Sequence, residues 1–232
     1  MAGGLNAEAM LAAWEAGARR GPLDRALMLL WAGGQGEGAA DLALVERDRR
    51  LLHLRRATFG PEMDCVATCP NCGARVQVTL DAATLAGALT ADTPATVAVG
   101  GREIALRPLT SRDLAAAAGV APEALPGFMR MRLAPEAETL DEAEACTLEA
   151  EIEAQAAEAE ARCLMVCLDC GTEWRESFDI AAHLWTEVEA AALRLLSEVA
   201  DLARAYGWTE AEVLALSPAR RAVYLALARE GS

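Results

Sequence analysis

From Ile180 onward, Leu184, Val188, Ala191, Leu195, Val199, Leu202 and Tyr206 follow one another at intervals of three or four residues. That interval is the helical period, so the spacing predicts one long helix with a single apolar stripe, stopping at Gly207. The same period predicts two short helices over residues 6–32. Asn6 caps the first, which carries Met10, Leu11 and Trp14, and Pro22 opens the second at a permitted first-turn position. ERDRRLLHLRRATFG, ending at Gly60, predicts a basic amphipathic helix with Leu51, Leu52, Leu54 and Phe59 inward. Its arginines form either a solvated face or a dock for an acidic partner, including this chain's own acidic helix. Between the two regions, DAATLAGAL predicts a short helix, and TSRDLAAAAGV a helix capped by Thr110 or Ser111. Thr139 and Glu142 have capping-box spacing ahead of an acidic helix reaching Ala161, and Thr209 with Glu212 repeats the device. Ser217-Pro218 starts a last helix bearing Val223, Tyr224 and Leu227.

Alternation replaces this period in three places. TVAVGGREIALRPL is a β-hairpin, with Gly100-Gly101 as a two-residue turn. The other two places match each other. CVATCPNCGARVQVTLD from Cys65 aligns without a gap on CLMVCLDCGTEWRESFD from Cys163, at a constant offset of 98 (163 − 65). Cys65, Cys69, Cys72, Gly73 and Asp81 fall on Cys163, Cys167, Cys170, Gly171 and Asp179. Each copy reads as strand, Cys-x-x-Cys-Gly, strand: one supersecondary unit used twice.

Composition sets the compartment and excludes several activities. A hydrophobic share of 53% with only 4% aromatics favours closely packed helices over a β-sandwich. The net charge of −14 opposes general affinity for nucleic acid or an anionic membrane. From Glu136 to Ala161 there are ten acids and no Lys or Arg, a run whose ordinary meaning is solubility. No apolar run is long enough to span a bilayer, and MAGGLNAEAML lacks the pattern of a signal peptide. The expected location is therefore the cytoplasm, where seven cysteines point to metal ligands and buried thiols rather than disulfides.

A Cys-x-x-Cys turn offers two thiolates from one tight loop, and zinc favours four in a tetrahedron. Cys69, Cys72, Cys167 and Cys170 are thus the candidate ligands of one structural Zn2+ ion. Two other readings stay open: metal-free knuckles, and a thioredoxin-like redox pair at CPNC. The redox motif belongs at a helix N-terminus, whereas RVQVTL after Gly73 alternates like a strand. Cys65 and Cys163 lie four residues before their knuckles, on the same strand face, and are expected to pack beneath the site as small hydrophobes. Cys146, in a helical stretch, is expected to be a core thiol. Only His53 and His183 are present, and neither lies in a protease or triad pattern. No P-loop or nucleophile elbow occurs, so no catalytic residue is assigned and the chain is not expected to be an enzyme.

The resulting expectation is an α+β, mostly helical chain. Residues 1–60 form a helical region with a Gly-rich linker at 33–39, and 61–82 the first knuckle hairpin. An inserted subdomain of hairpin and acidic helices takes 83–161, the second knuckle hairpin 162–180, and helices 181–232. The two knuckles together make a zinc ribbon.

Three segments carry a resemblance: RATFGP before the first knuckle, FDIAAHLW after the second, and AYGWTEAEVLALSPARR near the end. With them, the chain from about Leu23 to its C-terminus resembles the baseplate hub assembly chaperone family, encoded in tail gene clusters of contractile phages and related injection systems. The resemblance implies a small non-enzymatic accessory protein that binds structural tail proteins of the baseplate or hub. A competing expectation is a zinc-ribbon regulator that binds nucleic acid, its C-terminal helices imitating a helix-turn-helix with Arg220 and Arg221.

Overall fold

Helices begin where the sequence supplies caps. Asn6 Oδ1 accepts the Ala9 amide at 2.8 Å and opens α1, Ala7–Gly17. Pro22 sits in the first turn of α2, Pro22–Ala32, where a missing N–H costs nothing. The computed structural model describes residues 3–35, 38–89, 95–158 and 160–230. Within the Gly-rich stretch 33–39, residues 36 and 37 lie outside the described residues, and Gly38 leads into a short 3-10 turn at Ala39–Asp41. The basic helix is α3, Leu44–Phe59, followed by strands β1, Glu62–Thr68, and β2, Arg75–Asp81, and by α4, Ala82–Ala88.

These elements pack against the first half of α8, Ile180–Tyr206, around Leu29, Leu30, Leu51, Leu52, Met63, Leu184 and Val188. The expected stripe of α8 divides between two cores. Leu184 to Leu195 joins this body core, whereas Leu202 packs with Val213 and Leu225 of α9, Glu210–Leu214, and α10, Pro218–Glu230. Gly207, in the left-handed conformation at φ 71, closes α8, and Thr209 with Glu212 forms the capping box of α9.

Four of the five arginines of α3 are engaged by their own surroundings, and Arg56 is exposed. Glu46 pairs with Arg49 and Arg50, and Arg47 with Asp48. Arg55, 3% exposed, forks onto Glu187 of α8 at 2.7 and 2.9 Å and donates to Gly60 O. One close approach between helices is testable. A Cβ at Gly17 would lie 2.5 Å from the Trp185 ring, which is 4% exposed and covered by the Arg25 guanidinium. Gly17→Ala is therefore expected to destabilise the body by about 1–3 kcal/mol, although alanine suits helices better, because the ring has nowhere to go. Urea denaturation with an unchanged slope and a lower midpoint is the expected measurement.

The segment between the knuckles builds a separate core. Strands β3, Ala95–Val99, and β4, Arg102–Leu106, pair antiparallel, with Gly100 and Gly101 at φ 58 and 75 as the two-residue turn. Val97, Val99, Ile104 and Leu106 pack on Leu133 of α6, Leu125–Leu133, and on Leu148 and Ile152 of α7, Glu142–Glu158. Asp113, fully buried in α5, Ser111–Ala117, accepts from Arg107, Arg132 and Thr110. Burial opposes its charge, but those donors outweigh it and hold the carboxyl well below the usual carboxylate range. Thr110 rather than Ser111 caps α5, and the Thr110 amide donates to the Asp113 carboxylate.

Two expectations need correction here. The capping box of α7 is made by Asp141 and Glu144, not Thr139 and Glu142. The Thr139 hydroxyl instead accepts from Arg102 of β4, a tertiary partner that local spacing cannot show. Cys146 is exposed and is not a core thiol. The inward face of α7 runs through Leu148 and Ile152, and Cys146 falls outside that row.

The protein is thus mostly helical, with small antiparallel sheets. After α7 come β5, Arg162–Val166, and β6, Glu173–Ser177. Among the described residues, no helix is long and apolar enough to cross a membrane.

Candidate metal centre

The repeated sequence unit folds twice in the same way. β1 pairs with β2 from Glu62↔Asp81 to Thr68↔Arg75, and β5 with β6 from Arg162↔Ser177 to Val166↔Glu173. At each tip the first knuckle cysteine donates its amide to the residue after the glycine: Cys69 to Ala74 O at 2.8 Å, and Cys167 to Thr172 O at 2.9 Å. In return the glycine amides bond the cysteine carbonyls, Gly73 to Cys69 O and Gly171 to Cys167 O. Gly73 and Gly171 stand at φ 75 and 71, where a Cβ would be strained.

Matched tips then meet head to head. Cys69 Sγ lies 3.7 Å from Cys170 Sγ, and Cys72 Sγ 3.6 Å from Cys167 Sγ. All four sulfurs fall within 4.8 Å of one another. Each contact pairs the buried first cysteine of one turn with the exposed second cysteine of the other, so the cluster has approximate two-fold character.

The donor set suits a metal ion. Sulfurs at about 2.3 Å from one tetrahedral ion stand about 3.8 Å apart, close to the two contacts above. Proton affinity is unevenly spread across the cluster. The hydroxyl and amide of Thr172, with Asn71, favour the Cys170 thiolate and bring it down to about 6. At Cys72 the Ala74 amide favours the thiolate, but hydrogen bonds with Cys170, Cys167 and Cys69 outweigh it and push the thiol up to about 12. Four sulfurs this close cannot all ionise alone, whereas a cation among them removes the repulsion. The cluster can therefore hold a metal ion.

Cys65 and Cys163 are half-buried and stand outside the tetrad. Burial raises both thiols; the neighbouring Cys163 thiol and Glu187 add to this at Cys65 against an opposing Arg55, and Glu176 adds to it at Cys163. Cys65 packs on the body core beside Met63 and Leu80.

Sequence reasoning aligned Asp81 with Asp179 but gave them no role. Asp81 Oδ1 accepts the Thr84 amide at 2.7 Å to start α4, and Asp179 Oδ1 accepts the Ala182 amide at 3.0 Å to start α8. The repeat is therefore hairpin plus capped helix, and its two helices differ greatly in length. An aspartate directly before a helical pattern was the available signal. No protein-family model, curated protein or solved structure matches the chain.

Proposed function

We propose that Cys69, Cys72, Cys167 and Cys170 bind one structural Zn2+ ion, turning the facing hairpins into a zinc ribbon. We further propose that the chain is a non-enzymatic assembly factor or accessory component of a phage-like contractile tail, acting on baseplate or hub proteins. The observation that carries the first part is the convergence of four thiols, and of no other residue type, from two turns far apart in sequence. Four protein thiolates fill a tetrahedral sphere and leave no position for water or substrate, so the metal's work is to hold the fold. The second part rests on the resemblance of the segments flanking the knuckles and near the C-terminus. Just outside the two flanking segments, Arg55 of α3 donates to Glu187 of α8.

The nucleic-acid reading loses support at one of its two arginines, Arg221, while Arg220 is exposed. Arg221 is 5% exposed and donates to Glu198 and Leu216 O, so it braces α10 on α8 and cannot reach a base. The test is co-expression with the neighbouring genes followed by affinity purification. Recovery of hub, spike or tube proteins is the expected result. Recovery of RNA polymerase, or a salt-sensitive shift of duplex DNA, overturns the assembly reading in favour of a regulator.

A further inference from the structure

The inserted lobe and the helical body keep separate cores, and between them lies a cleft of about 1010 Å³. Among the described residues, the two halves meet along a seam. There Leu44 N donates to Leu109 O at 2.8 Å, Ala43 bridges Thr110, and Arg112 pairs with Asp41. Away from the seam the walls diverge. The lobe contributes Leu109, Leu125, Met129 and Ile152, and the body contributes Val45 and Phe178. Leu125 is 37% exposed, and Leu109, Met129 and Phe178 are only partly buried, so the floor is apolar and incompletely covered.

The charges around that floor are unbalanced. Carboxylates on the lining are Asp48, Glu149, Glu151, Glu153, Glu160 and Asp179, against the cations Arg47 and Arg107. Both cations are already held, Arg47 by Asp48 and Arg107 by Asp113. Glu151 and Glu153, exposed on α7, have no salt bridge among the described residues. A small-molecule site would aim a few buried polar groups inward. An apolar floor with an exposed acidic margin is instead complementary to an amphipathic helix with a basic border.

We propose that this cleft is a docking groove for a basic amphipathic segment of a partner protein. The partner's apolar stripe lies on Leu109, Leu125, Met129 and Phe178, and its Lys or Arg residues border Glu151 and Glu153. The acidic run of α7 is then a recognition margin as well as a solubilising surface. This inference is independent of the tail-assembly reading, and its test involves no tail protein.

The test uses fluorescence anisotropy with a labelled synthetic helix carrying leucines at i, i+3, i+4 and i+7 and flanking lysines. A scrambled peptide of the same composition controls for bulk attraction to the acidic protein. Binding of the patterned peptide is expected. The Glu151→Lys/Glu153→Lys variant should weaken it by about tenfold or more, and Leu125→Gln should weaken it as well. Asp201→Lys, at the far end of α8, should leave it unchanged. Equal binding of the scrambled peptide, an undiminished affinity in the Glu151/Glu153 variant, or no binding of the patterned peptide overturns the groove. Any of these outcomes leaves the assembly reading standing, because that reading is decided by the co-purification and the DNA-shift assay.

Discussion

With the proposed zinc ion in the cluster, replacing Cys69 or Cys170 with serine is expected to take zinc from one ion per chain to none and to melt both hairpins. Three thiolates hold zinc far less tightly than four, and a two-stranded hairpin has little stability of its own. Metal binding contributes on the order of 10 kcal/mol to folding such units, more than most domains have in reserve. The two positions serve as controls for each other. Cys69 is 1% exposed, so its replacement also disturbs packing. Cys170 is exposed, so its replacement changes packing little and mainly reports the lost ligand. Cys146→Ser, outside the cluster, should retain zinc. Elemental analysis together with amide exchange over 62–81 and 162–177 reads both effects. Equal zinc in the wild type and both ligand variants would sink the metal assignment. Because Leu29, Leu52, Leu184 and their neighbours form a core of helices, the body should keep much of its helical signal while the hairpins open.

The second large effect concerns the ion pair between α3 and α8. Arg55→Ala is expected to cost about 3 kcal/mol, the lower end for a buried pair, because Glu187, a quarter exposed, loses its main partner. Removing both charges, as Arg55→Leu with Glu187→Leu, should cost much less, since apolar replacements leave no stranded charge. A double-mutant cycle read by denaturant unfolding separates the two cases, and equal costs for the single and double variants would contradict the account. The pair also fixes a pH dependence. Burial alone would raise the Glu187 carboxyl, but hydrogen bonds from Arg55, with His183 beside them, bring it down to about 2 from its usual 4.5. Its folded pKa lies below its unfolded value, so its stabilisation is complete above 4.5 and is lost as pH falls toward 2. The Arg55→Ala variant should show a shallower loss of stability across that window than the wild type.

What could be read before the fold was known was local. Gly73 and Gly171 mark positive-φ turns, Asn6 and Thr209 mark helix starts, and the stripe of α8 is plain in its spacing. Each depends on residues within a few positions of one another, where steric and hydrogen-bonding rules hold without a partner. The knuckle cysteines were legible for the same reason, with the repeat adding that the two turns are alike. The failures involve distant partners. Thr139 ends a 3-10 turn two residues before the cap and meets Arg102 instead, and Cys146 faces outward because the packed face of α7 runs through Leu148 and Ile152.

The sequence by itself therefore determined the parts: two matched thiol turns, their strands, and helices with marked beginnings and apolar faces. Only the tertiary structure decided that Cys69 meets Cys170 and Cys72 meets Cys167. It also decided that the intervening lobe keeps its own core and leaves an acid-bordered cleft against the body. The reason is physical: a turn or cap is settled by neighbours along the chain, whereas these juxtapositions arise when separate apolar faces are buried together.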